Sequence, residues 1–464
     1  LTIIVFKEAL PYRLDDLKVK FKVNNDDHMN KILTNLKKVG VLRVNQSFED
    51  LDFLKEEINY EVKNDQELYF FKYVGAVQIE SEYCLLIYPK YIPKKQIEED
   101  LKSNNYKKFK TIIEVIEKYK NKLVQNISST GDIKNDYSDK LGVKLSILQD
   151  FYEYGLYQKN KENIVLNGDG RILWNQTVNS RDAFIINNIP YYLDFYTSEV
   201  LNDEKNIVQI IHRIIITEIC SELGLLLDIL EYEKVDLTDI RLEDVGDIEE
   251  LLNILEKEIN GQFITKYQNI IKGLIAYIID SSNKDQYSIS IVGTRAFNLV
   301  WEDVCSVVFG NDLDKSFIDL GLKINGDANM TVKEYIEKPT WINNRDNTSF
   351  VQGTSLLLDV LTIKDNKMNI YDAKYYNTQF HTNHITGQPG INDITKQYLY
   401  ELALSDIIHK NNLKVFNYFV MPKDDLGYQE KMAGYVKLTM LEKLGLEPIG
   451  IIYSDSQMMF DKYL

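Results

Sequence analysis

Ser355-Leu-Leu-Leu-Asp359-Val-Leu-Thr-Ile363-Lys-Asp-Asn-Lys367-Met-Asn-Ile-Tyr-Asp372-Ala-Lys374-Tyr-Tyr376 reads as two largely apolar runs separated by a short polar break. With Asp365-Asn366 as a two-residue loop, the runs are expected to pair as a hairpin in which Lys364 faces Lys367. Counting back in that register places Asp359 opposite Asp372. Two carboxylates facing each other among buried leucines repel, and the pairing needs something positive between them. A divalent metal meets that need. Hard oxygen ligands suit Mg²⁺, which takes one or two carboxylates and keeps several waters. Lys374 lies two residues beyond Asp372 and projects from the same face, while Ala373 turns to the other. The bland alternative is an edge ladder with Asp359 facing solvent. Against it, Asp359 follows three leucines and precedes Val-Leu, as in a strand buried on both faces.

Upstream, Phe297 to Phe309 has helical periodicity, with Phe297, Trp301, Val304, Cys305 and Val308 on one face and Gly310 as the stop. Glu302 sits at the edge of that face and is a candidate third acid. Downstream, Pro389-Gly390 precede a helix expected over about 392–409, on which Asp393, Gln397 and Tyr400 form an i, i+4, i+7 stripe. That stripe either faces a catalytic cleft or is a solvated helix face, and periodicity weighs the two equally.

The 464 residues suit several domains, and 44% hydrophobic with 27% charged residues is the balance of a globular protein. Residues 1–126 are strand-rich, with runs at Tyr69–Val77 and Tyr83–Tyr88 followed by a helix over Lys107–Gln125. A polar stretch from Asn126 to Asp139 marks the first boundary. Residues 127–287 are expected to be mainly helical, near 144–157, 205–230, 247–258 and 262–280, with a hairpin around Asn187–Pro190. The polar cluster Ser281–Gln286 ends that part, and 288–464 alternates helices and strands in an α/β order. The fold class is thus α/β multidomain.

Composition excludes several classes. Cys84, Cys220 and Cys305 are far apart with no CxxC pair, so no disulfide framework or zinc knuckle is expected. A reducing cytoplasm fits, and no signal peptide is read at the N-terminus. The apolar run Ile207–Leu230 carries His212, Arg213, Glu218 and Glu222, which makes it a buried helix and not a membrane span. The formal charge of −16 repels phosphate backbones, so DNA affinity must come from a local groove or a partner. Gly310-Asn-Asp-Leu-Asp314-Lys315-Ser316 is set aside as a phosphate-binding loop because Asp314 stands where a glycine is required. No GxxxxGK[ST] occurs, so any nucleotide-driven motor is another polypeptide. His381 and His384 lack companions for a zinc site and are expected to contact DNA phosphate from a loop.

The order of Glu302 on a helix, Asp359 on a strand, Asp372-Ala373-Lys374 on the next and Lys396-Gln397-Tyr398-Leu399-Tyr400 on a helix resembles the PD-(D/E)XK nuclease fold. Within that fold the chain resembles the LlaJI family of restriction endonucleases, and more distantly McrC, the nuclease subunit of the McrBC system. Val74-Gly75-Ala76-Val77 and Ile87-Tyr88-Pro89-Lys90 are similar to the N-terminal region of McrC. Gly168-Asp-Gly-Arg-Ile172-Leu-Trp174-Asn-Gln-Thr177 is similar to the LlaJI middle region. The resemblance implies metal-binding acids at Asp359 and Asp372, a helix acid at Glu302 that joins them, a catalytic lysine at Lys374 and a helix glutamine at Gln397. It further implies Mg²⁺-dependent cleavage of double-stranded DNA in phage defence, beside a McrB-like AAA+ GTPase docked on the N-terminal domain. Leu358 stands where the family pattern has proline, and the second acid is Asp rather than Glu, but neither departure removes a ligand. The rival reading is a non-catalytic regulator that stimulates such a GTPase, for which opposed carboxylates have no physical purpose.

Overall fold

The computed structural model describes residues 2–44, 67–79, 82–103, 106–127, 140–203, 205–282, 289–353 and 355–464. Most of the expected boundary stretch Asn126–Asp139, and residues 283–286 of the second, lie outside the described residues. Contacts gather Leu1–Tyr137 and Val292–Leu464 into one compact unit and Ser138–Ile291 into another.

β1 (Thr2–Lys7), β2 (Val74–Ile79), β3 (Tyr83–Tyr88) and β4 (Ile289–Thr294), the last belonging to the first unit from Val292 onward, form a sheet in the order β1-β3-β2-β4. β3 runs parallel to β1 and antiparallel to β2. Every residue of β2 and all but the first of β3 are buried, so both faces of these strands are covered, Gln78 of β2 included. The last strand comes from beyond the middle of the chain and approaches at two glycines. A Cβ on Gly75 would sit 2.1 Å from the Val292 carbonyl oxygen, and one on Gly293 2.1 Å from that of Val74. Both have positive φ, 138° and 150°, so only glycine allows the contact.

The second sheet of this unit holds β5 (Val360–Lys364), β6 (Lys367–Ala373), β7 (Lys414–Lys423), β8 (Glu430–Val436) and β9 (Ile449–Asp455), in the order β5-β6-β7-β9-β8. The outer pairs are antiparallel; β6 with β7 and β7 with β9 are parallel. Asp365 and Asn366 both take positive φ, 51° and 58°, as a type I′ turn requires, and Lys364 pairs with Lys367. Helix α1 (Phe297–Phe309) precedes β5 and helix α2 (Ile391–Ala403) links β6 to β7. The helix read at Lys107–Gln125 spans Lys107–Ile127 and packs on α1 and on the terminal helix Ser456–Tyr463. Lys118 Nζ accordingly donates to the Tyr463 carbonyl at 2.6 Å, and Lys122 pairs with Asp303.

The second unit carries helices Lys140–Tyr154, Ile207–Ile229, Ile248–Gly261 and Thr265–Ser282, close to their expected places. The Asn187-Asn188 turn joins Phe184–Ile186 to Ile189–Tyr191, again with positive φ at both turn residues. Sequence reading misses a three-stranded sheet here, formed by Asn160–Leu166, Tyr196–Asn202 and Arg171–Ile172. Its first strand, Asn-Lys-Glu-Asn-Ile-Val-Leu, has no period-two alternation and is held by its seven-residue register with Tyr196–Asn202. Among the described residues no helix is long and apolar enough to cross a membrane.

His212, read as a polar interruption in Ile207–Leu230, is fully buried, and its Nδ1 accepts from the Tyr157 backbone N–H at 3.0 Å. Burial lowers its pKa from 6.5 to about 4. The unfolded chain therefore binds a proton that the folded chain refuses, so this contribution is complete above pH 6.5 and is lost as pH falls toward 4. Asn in its place keeps an acceptor and does not titrate. In urea unfolding of the full chain, wild type is expected to lose about 2 kcal/mol more than His212→Asn between pH 7 and pH 4.5. Equal losses would refute a buried neutral imidazole.

Candidate active site

Asp359 immediately precedes β5 and Asp372 lies near the end of β6; since Val360 pairs with Tyr371, the next step of the register sets the two acids opposite each other. The strand is shorter than its sequence suggests. Leu356, Leu357 and Leu358 are outside β5, and Leu357 is 56% exposed, so the three leucines are not a strand buried on both faces. The reason is local: Asp359 Oδ2 accepts the Ala373 backbone N–H at 2.8 Å, a side chain standing in for a ladder carbonyl, and the pairing stops there. The Tyr400 hydroxyl donates to the freed Leu357 carbonyl. The outer edge of β5 is held by residues that sequence reading missed. Asn311 Nδ2 donates to the Asp359 carbonyl at 2.8 Å, its Oδ1 accepts the Leu361 N–H at 3.1 Å, and Asp312 accepts the Ile363 N–H at 2.7 Å. The segment examined as a phosphate loop thus binds the strand that carries the first acid. Its signal was Asn-Asp directly after a helix-ending glycine.

Lys374 follows β6 with its Nζ 2.8 Å from Asp372 Oδ2 and 3.0 Å from Asp393 Oδ1 on α2. Its backbone N–H donates to the Val420 carbonyl at 2.9 Å, and the Trp301 indole of α1 donates to the same oxygen at 3.1 Å. That shared acceptor fixes α1 against the end of the sheet. Glu302, next to Trp301 and half-buried, therefore lies within the field of Asp372, Lys374 and Lys396.

Gln397 is wholly buried, and its Nε2 donates to the Tyr418 carbonyl at 3.2 Å and approaches that of Ile370 at 3.5 Å. It spans β6 and β7 and makes no hydrogen bond to the acids. Tyr400 is buried as well, so the Asp393-Gln397-Tyr400 stripe faces the sheet and is not a solvated face. His381 and His384 stack at 4.6 Å across the small hairpin of Gln379–Phe380 and Ile385–Thr386.

Electrostatics set the chemical character of the cluster. Burial, reinforced by Asp372 and Glu302, pushes Asp359 up to about 7 in spite of the Ala373 N–H and Lys374. Burial raises Asp372 too, against Lys374 and Lys396, and it raises Glu302. Burial works against the Lys374 charge, but Asp372 and Asp393 outweigh it and hold the amine above the usual lysine range. Three acids whose burial disfavours charge gain from a cation. Asp372 Oδ2, sealed from solvent, has the Lys374 ammonium nearby but no well-directed hydrogen bond. Among the described residues no set of three or more His, Cys, Asp or Glu side chains forms a ready-made metal cage. Asp359 and Asp372 are two hard oxygen donors that could hold a divalent cation whose remaining positions are filled by water or ligand oxygens.

Residues 73–456 match the family model described as LlaJI restriction endonuclease. The chain is 26% identical over 407 residues to the type II restriction enzyme BsuMI component YdjA of Bacillus subtilis (strain 168), covering 85% of this chain and 80% of that one. Among solved structures it is similar to a half-complex of Thermococcus gammatolerans McrB AAA+ hexamers with bound McrC, at 12% identity and a TM-score of 0.40, covering 100% of this chain and 98% of that one. A second structure, the McrBC complex of the same organism, aligns at 14% identity and a TM-score of 0.23, covering 60% of this chain and 80% of that one.

Asp359→Asn keeps an acceptor for the Ala373 N–H while removing the charge opposed to Asp372. Differential scanning fluorimetry in EDTA is expected to show a melting temperature about 1–2 °C above wild type, the shift for roughly 1 kcal/mol in a chain of this size. The rise that Mg²⁺ or Mn²⁺ gives wild type should be lost. A lower midpoint in EDTA, or an unchanged response to metal, contradicts mutual repulsion at a metal site.

Proposed function

The chain belongs to the LlaJI restriction endonuclease family, and on that premise we propose that it is the DNA-cutting subunit of a restriction system. The reaction is hydrolysis of phosphodiesters in double-stranded DNA by a divalent metal centre. The observation that carries this reading is the register that opposes Asp359 to Asp372 at the sheet end, with Lys374 beside them. The succession of α1, β5, β6, α2 and β7 supports assigning the second sheet to the PD-(D/E)XK nuclease fold.

Asp359 and Asp372 would hold Mg²⁺, with Glu302 as the third acid at the edge of its shell. When bound, the ion supplies Lewis acidity to a phosphate oxygen and acidifies a water molecule. Asp359 is oriented by the Ala373 N–H, so its second oxygen is left for the ligand role. Lys374, kept protonated by Asp372 and Asp393, is suited to stabilise negative charge developing on the phosphate rather than to remove a proton. Gln397 supports the site from below by tying β6 to β7, so its contribution runs through the placement of Asp372.

A separate McrB-like AAA+ GTPase is the proposed partner. The reading rests on three considerations: the chain has no GxxxxGK[ST], its net charge of −16 disfavours autonomous capture of DNA, and its Bacillus relative is named as one component of an enzyme. Nucleotide-driven delivery by the partner would bring DNA to the acids and restrain cutting in its absence.

Plasmid cleavage by the purified chain, alone and with the products of neighbouring genes plus GTP, tests both parts near physiological salt with Mg²⁺. Cleavage is expected only with the partner, and Asp372→Asn is expected to lower it at least about 100-fold while the melting curve stays cooperative. Full activity in Asp372→Asn would remove the catalytic assignment. Site-specific cutting by the chain alone would remove the partner. Stimulation of the partner's GTPase without any cleavage would favour the regulatory role instead.

A further inference from the structure

Tyr375, one residue beyond Lys374, is buried and joins four separate segments of the first unit. Its hydroxyl donates to the carboxylate of Glu8, in the turn after β1. The Lys90 backbone N–H, just after β3, approaches both that carboxylate at 3.3 Å and the Tyr375 hydroxyl at 3.2 Å. Lys90 Nζ lies 4.7 Å from the centre of the Tyr375 ring. On the apolar side the Tyr375 ring packs against Phe297 at 5.2 Å and Tyr91 at 6.1 Å. Phe297 is the first residue of α1, the helix that presents Glu302.

Lys374 and the Glu302 helix thus rest on one aromatic cluster, and the polar end of that cluster is a glutamate of the N-terminal sheet. A carboxylate shielded from water this thoroughly is costly to bury unless its partners are fixed, so Glu8, Lys90 and Tyr375 have little freedom to separate. The Glu8 N–H is itself held by the Tyr88 carbonyl at 2.8 Å, which makes the attachment a property of the sheet and not of a loose loop.

We infer that Glu8 is a positioning residue which, through Tyr375, sets the placement of Lys374 and of the Glu302 helix, so that displacement of the N-terminal sheet is felt at the metal site. The inference rests on the nuclease reading of that site and deepens it, since it gives a partner bound to the N-terminal sheet a direct mechanical route to the chemistry. It also means that the first 126 residues are no detachable module, because their removal strips Tyr375 of its anchor.

Glu8→Gln and Tyr375→Phe test this in the full-length chain; the second keeps the ring packing and removes only the hydroxyl. Hydrogen–deuterium exchange should accelerate about tenfold in peptides covering 370–376 and 297–302, with 4–6 and 84–87 unchanged. Under whichever condition gives wild-type cleavage, the single-turnover rate should fall about tenfold with DNA affinity unaltered, as a small misplacement predicts. In a Lys374→Arg background the further loss should be clearly smaller than about tenfold, because Lys374 is one of the groups through which Glu8 acts. Exchange that is unchanged, confined to the N-terminal strands or raised throughout the unit overturns the inference, as does a rate loss that multiplies with Lys374→Arg. If wild type proves not to cut DNA, the nuclease reading falls while the exchange measurement still decides whether Glu8 positions this end of the sheet.

Discussion

The opposition of buried Asp372 to half-buried Asp359 is the constraint around which the end of the second sheet is arranged. Asp359 and Asp372 face each other at the point where the β5–β6 ladder ends, and the surroundings are arranged to tolerate them without removing the conflict. The Ala373 N–H steadies one oxygen of Asp359, Lys374 balances Asp372, and Asn311 with Asp312 grip the far edge of β5 so that the strand cannot swing away. A fold that keeps such a pair is held together by something other than that pair. Here the support comes from the apolar layer beneath, where Leu361, Met368, Ile370, Phe317, Tyr400 and Leu404 share one cluster. Functional sites characteristically break a local rule that the rest of the structure can sustain.

Much of this was legible from local chemistry. Asp365-Asn366 specifies a type I′ turn because both residues tolerate positive φ, and one turn then determines which residues face each other along the whole hairpin. Glu302 and Asp393 were found through helical periodicity for the same reason: short-range geometry is regular enough to count along. Depth is not given by counting. The Gln397 stripe was read as equally a cleft lining or a solvated face, and Gln397 instead lies wholly buried against the carbonyls of two strands. The three leucines before Asp359 misled in the opposite direction, since an apolar run looks like a strand even where a side-chain hydrogen bond has already ended the ladder.

What stayed hidden are the contacts between residues far apart in sequence. Asn311 meets β5 across about fifty residues and Glu8 meets Tyr375 across 367, and neither pairing leaves a periodic trace. The hairpin register singled out Asp359, Asp372 and Lys374, and family resemblance added only the roles expected of them. It was silent on Asn311, Asp312 and Tyr375, which act by holding other groups. Long-range support of this kind is read only from coordinates.

The meeting of Gly75 and Gly293 has a consequence in time. The N-terminal sheet lacks its β4 edge until the ribosome has passed Thr294, roughly 220 residues after β2, which at ordinary rates of synthesis is on the order of 10–40 s. Through that interval β2 offers an unpaired edge, apolar but for Gln78, to the cell, the kind of strand that invites association with other chains. Residues 138–291, whose contacts lie largely among themselves, are free to complete their own packing first. That order of synthesis leaves the middle of the sequence able to pack before the N-terminal sheet gains its last strand.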